Sequence, residues 1–454
     1  DNKNKVFLSF VVFIFLTLFY FLIPTSYNKD LIQTEIKNQL LKKYQIHLKF
    51  TKKVSYGLFP MPHFTSKDIL IFNNKKKIAN LKSFKVYIGS SNFFKINKID
   101  IKNIIINESE FNIQSSNLKF IKGLLKTEPN KNKIVINKSN IFFRDKHDKV
   151  LFINQIDNGN LYYDFKNLKN IFVSKNKIFN VPYKLTIKND KLNKNLETVL
   201  DLNSLRLKVN NEINYNQENQ NGIFKINFKN RSDIFQYNIK KNSVNFKLED
   251  KNKTYDGLLE LKPFYFNSRF HYNTLRIKDL TQDSFLTKVI NSQIFNNQNL
   301  NAKINFEVKK FLDFDRFTDL FLNLQIEEGQ FFLSNSQIMW KDNLTFSLEE
   351  GLLNYENDRF YFNGKLSINI KDKDDFYRFF QINKDYRKDL NKIVFDFNYD
   401  FLKKKVVFDN LKIDDTSNDK LDKFISTFNS TDEKFFNKIT FKNFVNKVFI
   451  SYSG

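Results

Sequence analysis

The sequence predicts a mainly β protein: an N-terminal transmembrane helix, then a long curled antiparallel β-sheet forming a groove, with short helices at the start and at the C-terminus. Three observations lead there. Val6 to Ile23 is an unbroken apolar run, VFLSFVVFIFLTLFYFLI, in a chain that is otherwise polar and basic. From about Ile46 to Ile413 apolar and polar residues alternate with period two, as in strands with one dry and one wet face. After that, the apolar spacing becomes that of a helix.

Residues 6–23 cover roughly 27 Å at 1.5 Å per helical residue, enough to cross a bilayer's hydrocarbon core. Val6, Phe7, Phe10, Phe13, Phe15, Phe19, Phe21 and Ile23 are the anchor residues. A cleaved signal peptide would end in a small-x-small site, which Ile23-Pro24-Thr25-Ser26-Tyr27 matches poorly, so an uncleaved anchor is expected. Lys3 and Lys5 predict that residues 1–5 stay cytoplasmic and that the bulk of the chain is exported. Within residues 24–45, Asp30 to Tyr44 reads as an amphipathic helix. Ile32, Ile36 and Leu40 recur every four residues, joined by Leu31 and Leu41, with Asp30 as N-cap.

Residues 46–413 form the predicted β-groove. The clearest alternating segments place Phe224, Ile226 and Phe228 on one face, and Phe246 with Val244 and Leu248 on another strand. Phe360 and Phe362 continue the pattern, as do Phe395 and Phe397. A long sheet with one apolar face must curl, because strands twist with a fixed hand. Curling inward makes Phe224, Ile226, Phe228, Phe246, Phe360, Phe362, Phe395 and Phe397 the candidate lipid-facing lining. At roughly 12 residues per strand and connection the region holds about 30 strands, with no linker interrupting them.

The chain has only ten Gly and six Pro, so clusters such as Asn73-Asn74-Lys75 and Asn296-Asn297-Gln298-Asn299 must supply reversals. Two weak repeats suit one hairpin or a little more per unit. Ile105-Ile106-Asn107-Glu108-Ser109 returns as Val135-Ile136-Asn137-Lys138-Ser139, and Ile326-Glu327-Glu328-Gly329 returns as Leu348-Glu349-Glu350-Gly351. Short helical insertions are expected at Ser284 to Phe295 and Asp374 to Phe380. In residues 414–454, Leu421, Phe424, Ile425 and Phe428 have helical spacing, and so do Phe441, Phe444, Val445, Val448 and Phe449. The second stripe, set among lysines, suits either an interfacial membrane helix or a cap over the open end of the sheet.

Formal net charge is +25, from 74 Lys and Arg against 49 Asp and Glu. The lysines are spread along the chain without an Arg-rich cluster or reading helix, so anionic lipid is a better partner than nucleic acid. Cysteine is absent, which excludes disulfides, thiolate metal sites and cysteine nucleophiles. His47, His63, His147 and His271 have no metal-ligand spacing. The pairs Glu327-Glu328 and Glu349-Glu350 each precede a Gly and read as solvated hairpin ends. No catalytic residue, cofactor or metal is assigned, and an enzyme is not expected.

The N-terminal region carries a specific order of elements. Ile32-x-x-Glu35-Ile36-x-x-Gln39-Leu40 is followed by a short strand and by Gly57-Leu58-Phe59-Pro60-Met61-Pro62. A strand to Phe72, Ile78-Ala79-Asn80-Leu81, Phe84-Lys85-Val86-Tyr87-Ile88 and Ile96 to Ile113 come next. This resembles the AsmA family of bacterial inner-membrane-anchored periplasmic proteins, relatives of TamB. The likeness is clearest over 30–115 and looser toward 400, in the Glu-Glu-Gly segments and Phe376 to Ile382. One departure is Lys43-Tyr44-Gln45, where family members commonly place a Gly.

The resemblance implies a single-pass protein of the inner membrane with its bulk in the periplasm, and a role in outer-membrane biogenesis. It further implies a β-groove that passes phospholipid toward the outer membrane. The expected partners are the inner membrane, phospholipid and outer-membrane assembly components. Two other functions stay open: a non-conducting assembly or targeting factor for outer-membrane proteins, working through an exposed strand edge, and an anchored hydrolase or glycan binder with a polar cleft.

Overall fold

The computed structural model describes residues 2–73, 76–91, 93–95, 99–114, 123, 129, 131–145, 147–215, 220–229, 231–240, 243–261, 264–276, 297–341, 343–356, 359–403, 405–431 and 438–453. The chain divides into two compact units, Asp1–Ile234 and Phe235–Gly454, where the alternation alone suggested an uninterrupted β region.

The first unit begins with α1 (Asn2–Leu22) and a 3-10 turn (Ile23–Ser26), followed by α2 (Lys29–Tyr44). Asn28, not Asp30, is the N-cap of α2: its Oδ1 accepts from the backbone N–H of Asp30 at 2.9 Å and of Leu31 at 3.3 Å. Asp30 instead lies in the first turn, where a carboxylate suits the helix dipole. Ile32, Ile36, Leu40 and Tyr44 are buried. Leu31 and Leu41 are exposed, because each sits one residue, or about 100° of rotation, off that stripe. Gln45 ends the helix in the left-handed conformation at φ 55°.

β1 (His47–Lys49) and β2 (Ser55–Gly57) both pair with β3 (His63–Asn73). Then β4 (Lys76–Ile88), β5 (Ile101–Gln114), β6 (Lys133–Arg144), β7 (Val150–Asp164), β8 (Lys169–Ile178), β9 (Val181–Asp190), β10 (Asn195–Leu202), β11 (Leu207–Asn214) and β12 (Gln220–Phe228) pair in chain order. Every pair is antiparallel except β5 with β6, which is parallel. The unit's core lies where α2 covers the apolar face of β3 to β6, around Ile69, Leu81, Val86 and Ile104.

The division between units falls within β13 (Arg231–Lys240). The second unit continues with β14 (Ser243–Glu249), β15 (Lys253–Leu261), β16 (Phe264–Leu275), β17 (Ala302–Phe311), β18 (Phe317–Glu327), β19 (Gln330–Trp340), β20 (Leu344–Glu356) and β21 (Arg359–Ile370). α3 (Lys373–Phe380), β22 (Lys392–Asp400), β23 (Lys405–Ile413), α4 (Asp419–Ser430) and α5 (Lys438–Ser453) complete it. Here too a single parallel pair, β16 with β17, interrupts an antiparallel series. Neither unit closes into a barrel.

The described residues hold 23 strands, fewer than the roughly 30 expected at about 12 residues each. Individual strands are longer than assumed, up to 15 residues in β7. The expected helix at Asp374 to Phe380 is α3, N-capped by Asp372. The one expected at Ser284 to Phe295 lies outside the described residues, as do Asn74 and Lys75. Asn297 acts as an acceptor in its turn, bonding Asn299 N at 3.0 Å. Left-handed backbone is not confined to Asn, however. Among the described residues Lys138, Lys194, Lys229, Glu108 and Asp319 belong to a set of 19 non-Gly residues at positive φ, beside one glycine, Gly329.

The first repeat marks the parallel pair rather than a hairpin. Ile105 opposes Val135, Ile106 opposes Ile136 and Asn107 opposes Asn137. Glu108 (φ 50°) and Lys138 (φ 46°) step out of the ladder together, the serine after each is buried, and pairing resumes at Glu110 and Asn140. Ser139 Oγ accepts from Ser109 N at 3.1 Å and donates to Asn137 O at 2.8 Å. Ser109 Oγ donates to Asn107 O at 3.0 Å. The second unit uses the same device: Asn335 (φ 49°) precedes Ser336, whose Oγ accepts from Asn323 N at 3.0 Å. Bulges aligned across strands bend them together.

Charged residues at and beside the first unit's bulges pair with one another, Lys52 with Asp68 (φ 56°) at 2.6 Å and Lys82 with Glu108 at 2.8 Å. Those hydrogen-bonded ammonium groups hold both carboxyls below the usual carboxylate range.

The second repeat has two different fates. Glu328-Gly329, at φ 50° and 82°, forms a two-residue hairpin turn, as its sequence suggests. Glu349-Glu350-Gly351 is not a hairpin end. It lies inside β20, where a bulge between Leu348 and Glu350 sets Glu349 against Lys365 at 3.1 Å.

Candidate functional site

Ladder register joins the apolar side chains of each unit into rows running across the strands. In the first unit Val86, Ile104, Ile134, Leu161, Phe172 and Ile187 oppose one another successively from β4 to β9. The row continues through Thr198 and Asn211 to Phe224. A second row runs Phe84, Ile106, Ile136, Gly159, Ser174, Leu185, Leu200, Val209, Ile226. Beside it Leu202 opposes Leu207, which opposes Phe228. Under α2 these rows are buried; from Leu185 onward their members are half-buried. The predicted lining residues Phe224, Ile226 and Phe228 thus sit at the β12 end of rows that start in the helix-covered core. Tyr183 borders them, its hydroxyl donating to Asn154 Oδ1 at 2.7 Å. Burial pushes that hydroxyl up to about 12, so it remains a neutral donor.

The second unit has rows of the same kind. One runs Val244, Leu259, Phe266, Ala302, Ile326, Phe331, Leu353, Phe362, Tyr399, Val406. Another runs Phe246, Gly257, Ser268, Ile304, Leu324, Leu333, Gly351, Gly364, Phe397, Phe408. The glycines explain the aromatic geometry. A Cβ on Gly257 would meet Phe246 Cζ at 2.4 Å, one on Gly351 would meet Phe362 Cε2 at 3.0 Å, and one on Gly364 would meet Phe397 Cζ at 2.9 Å. Phe246, Phe362 and Phe397 therefore lie down across a glycine of the neighbouring strand instead of standing off the sheet. They make a flat aromatic floor. Phe246 stacks on Phe266 with centroids 5.8 Å apart, and Phe362 meets Phe397 edge-on at 5.3 Å.

Gly257 tests this floor. Its Cβ would also meet the backbone oxygen of Asn267 at 2.6 Å, which cannot swing away. Gly257→Ala is expected to cost about 1–3 kcal/mol. Gly159→Ala, whose nearest contact would be an ordinary 3.4 Å, is expected to cost far less. Urea denaturation of the solubilised chain compares them, and equal midpoints would contradict the floor geometry.

One end of the second unit's face is filled. α3, α4 and α5 pack over Ile393, Phe395, Ile368 and Phe346. They leave a wholly apolar cavity of about 70 Å³, lined in part by Phe395, Phe408, Phe444 and Phe449. Phe360 is buried as well. Phe397 packs against the same cluster as Phe395, so Phe360, Phe395 and Phe397 are not open lining, a correction to the sequence reading. Of the two readings of the C-terminal stripe, the packing fits the cap and not the interfacial helix. Val448 and Phe449 are buried, with Phe449 against Phe376 and Tyr377, and Phe444 stacks on Phe408. Val445 is half-buried against the same core. α5 caps the sheet, and these four side chains face protein instead of a membrane interface. Phe441 belongs to the helix, but its side chain lies outside the described residues.

α1 with its following turn, Asn4–Ser26, is long and apolar enough to cross a membrane, and none of it is buried over its most apolar stretch. Val6, Phe7, Phe10, Phe13, Phe15 and Phe19 are exposed. Phe21 and Ile23 are half-buried against the first unit's core, and Ile23 starts the 3-10 turn rather than ending the helix.

The histidines are scattered. His63 Nδ1 bonds Met61 O at 2.8 Å, and His271 Nδ1 pairs with Glu307 at 3.1 Å. Among the described residues no group of three His, Cys, Asp or Glu is placed to hold a metal ion.

The half-buried strands β9 to β11 fall inside the predicted β region, but none of their residues stood out as lining. Leu185, Leu200 and Val209 are single aliphatics among polar neighbours, and only register aligns them. Comparison with protein-family models and with curated proteins finds no match.

Proposed function

We propose that the protein is a membrane-anchored, AsmA-like lipid-handling protein of the bacterial inner membrane, whose sheet binds or conducts phospholipid acyl chains in outer-membrane biogenesis. The observation that carries this is the continuity of the apolar rows. The second row runs from a helix-covered core onto half-buried strands of an open sheet, broken only by the small residues Gly159 and Ser174, while the first passes Thr198 and Asn211 before it reaches Phe224. Each methylene laid along such a row leaves water at a gain of roughly 0.8 kcal/mol. A non-directional surface of this kind holds a chain without fixing it at one point.

Where family members commonly place a Gly, Gln45 takes the left-handed conformation that ends many helices. In this reading residues 1–5 are cytoplasmic, residues 6–23 span the membrane, the bulk of the chain is periplasmic, and the protein is not an enzyme.

Client addition at a strand edge, the competing function, has less to work with. At β23, Asn429 Oδ1 accepts from Phe408 N at 3.0 Å and its Nδ2 donates to Phe408 O at 2.7 Å, blocking the edge. β1 and β2 are three residues each.

Photo-crosslinking residues placed at Phe172, Ile226 and Phe362 in cells should capture phospholipid. Lys225, on the opposite face of β12, should not. Lipid adducts at the three apolar positions no more abundant than at Lys225 would remove the proposal.

A further inference from the structure

The Phe59-Pro60-Met61 tip, distinctive in the sequence, takes no part in the apolar rows. Its surroundings give it another task. The last turn of α1 is already bonded to the first unit. Tyr20 Oη donates to Ser90 O at 2.7 Å and accepts from Phe93 N at 3.2 Å, while Tyr56 Oη donates to Phe21 O at 2.7 Å. Tyr20 stacks on Phe93 with centroids 5.2 Å apart, and Tyr27 Oη bonds Phe93 O.

Only Val6 to Phe19 then remain as free apolar helix, roughly 21 Å at 1.5 Å per residue, against a hydrocarbon core about 30 Å thick. Such a shortfall is relieved by drawing the flanking surface into the bilayer's interface. Two loops flank the docked turn, residues 58–62 next to Tyr56 and residues 90, 91, 93 and 94 next to Tyr20. Ile88 N joins them by donating to Pro62 O at 3.0 Å. Their tips carry Phe59, Met61 and Phe94, which are 82%, 50% and 72% exposed, and the Phe94 ring lies 5.5 Å from that of Tyr20. Lys95, next in the chain, is exposed beside them. Tyrosines at the level where a helix leaves the membrane, with basic residues alongside, are what an interface selects.

We propose that Phe59, Met61 and Phe94 insert into the bilayer interface around the exit of α1 and seat the base of the first unit on the lipid surface. The unit is then held at the membrane by contact as well as by its tether. This rests on reading α1 as a membrane span, and the test separates the two ideas.

The chain has no cysteine, so single cysteines at 59, 61, 94, 13 and 192 each take one environment-sensitive fluorophore. The full chain is reconstituted in phosphatidylethanolamine–phosphatidylglycerol vesicles containing lipids with a nitroxide high on the acyl chain. Labels replacing Phe59, Met61 and Phe94 should be quenched several-fold more than one replacing Leu192, an exposed residue between β9 and β10. The label replacing Phe13 in α1 should be quenched too, by lipids with a deeper nitroxide. Quenching at 13 with none above the Leu192 level at 59, 61 and 94 overturns the seat alone. No quenching at 13 overturns the span and the seat together. A label at 59 or 94 that reports an apolar environment without nitroxide quenching puts a protein partner there, and also overturns the proposal.

Discussion

A carboxylate at Leu200 is expected to abolish lipid handling while leaving the chain folded. Leu200 lies between Leu185 and Val209 in the second row of the first unit, and it is half-buried. An aspartate there keeps access to water, so folding loses only part of one side chain's burial, about 1–2 kcal/mol. An acyl chain crossing that point would strip the carboxylate of water without giving it a partner, which costs several kcal/mol. Since 1.4 kcal/mol is a factor of ten, occupancy beyond residue 200 should fall by about a hundredfold or more. Val199→Asp supplies the control: Val199 opposes Thr186 and Asn210 on the other face of β10. Adduct yield from a crosslinker at Ile226, in cells carrying either variant, decides the matter. Equal yields would take the row out of the lipid path.

The largest loss of stability is expected from Ile36→Asp. Ile36 is 0% exposed, at the centre of the α2 stripe packed on the first unit's sheet. Truncation to Ala should cost about 2–5 kcal/mol. A buried carboxylate without a partner adds several more, which together approach the 5–15 kcal/mol that typically holds a whole domain. Leu41→Asp, on the exposed side of the same helix, should change little. Limited proteolysis of the solubilised chain should cut Ile36→Asp within the first unit at a protease level that leaves Leu41→Asp and the parent intact. Resistance equal to the parent would mean that α2 does not hold that core.

These expectations show which parts of the molecule were legible in its residues. The apolar run, the four-residue stripe of α2 and the helix at Asp374 to Phe380 follow from local spacing, and the structure contains all three. The alternation in β12, β14, β21 and β22 likewise placed those strands. What alternation cannot carry is partnership. Ile105 to Ser109 and Val135 to Ser139 looked like successive hairpins because thirty residues suits either a hairpin or a crossover back to a parallel neighbour. The rows depend on register, a property of pairs of strands, so Leu200 has no local mark of its importance.

The flat lie of Phe246, Phe362 and Phe397 was hidden for the same reason, since the responsible glycine belongs to the adjoining strand in each case. The C-terminal stripe did announce a helix, but hydrophobic spacing is the same whether the apolar side meets lipid or protein. The structure gives Phe449 protein.

The serine-locked bulges carry a further consequence. Because Ser139 Oγ takes the N–H of Ser109 on the next strand, and Ser336 Oγ that of Asn323, neighbouring strands are keyed to each other at one fixed level. An inserted or deleted residue within either strand would throw the key out of its slot and reverse the face of everything beyond it. Length can therefore drift only at the hairpin tips. Descendants of this chain would be free to lengthen or trim their loops while the distance from each crease to the apolar rows stayed constant, like a folding ruler whose joints wander only at its ends.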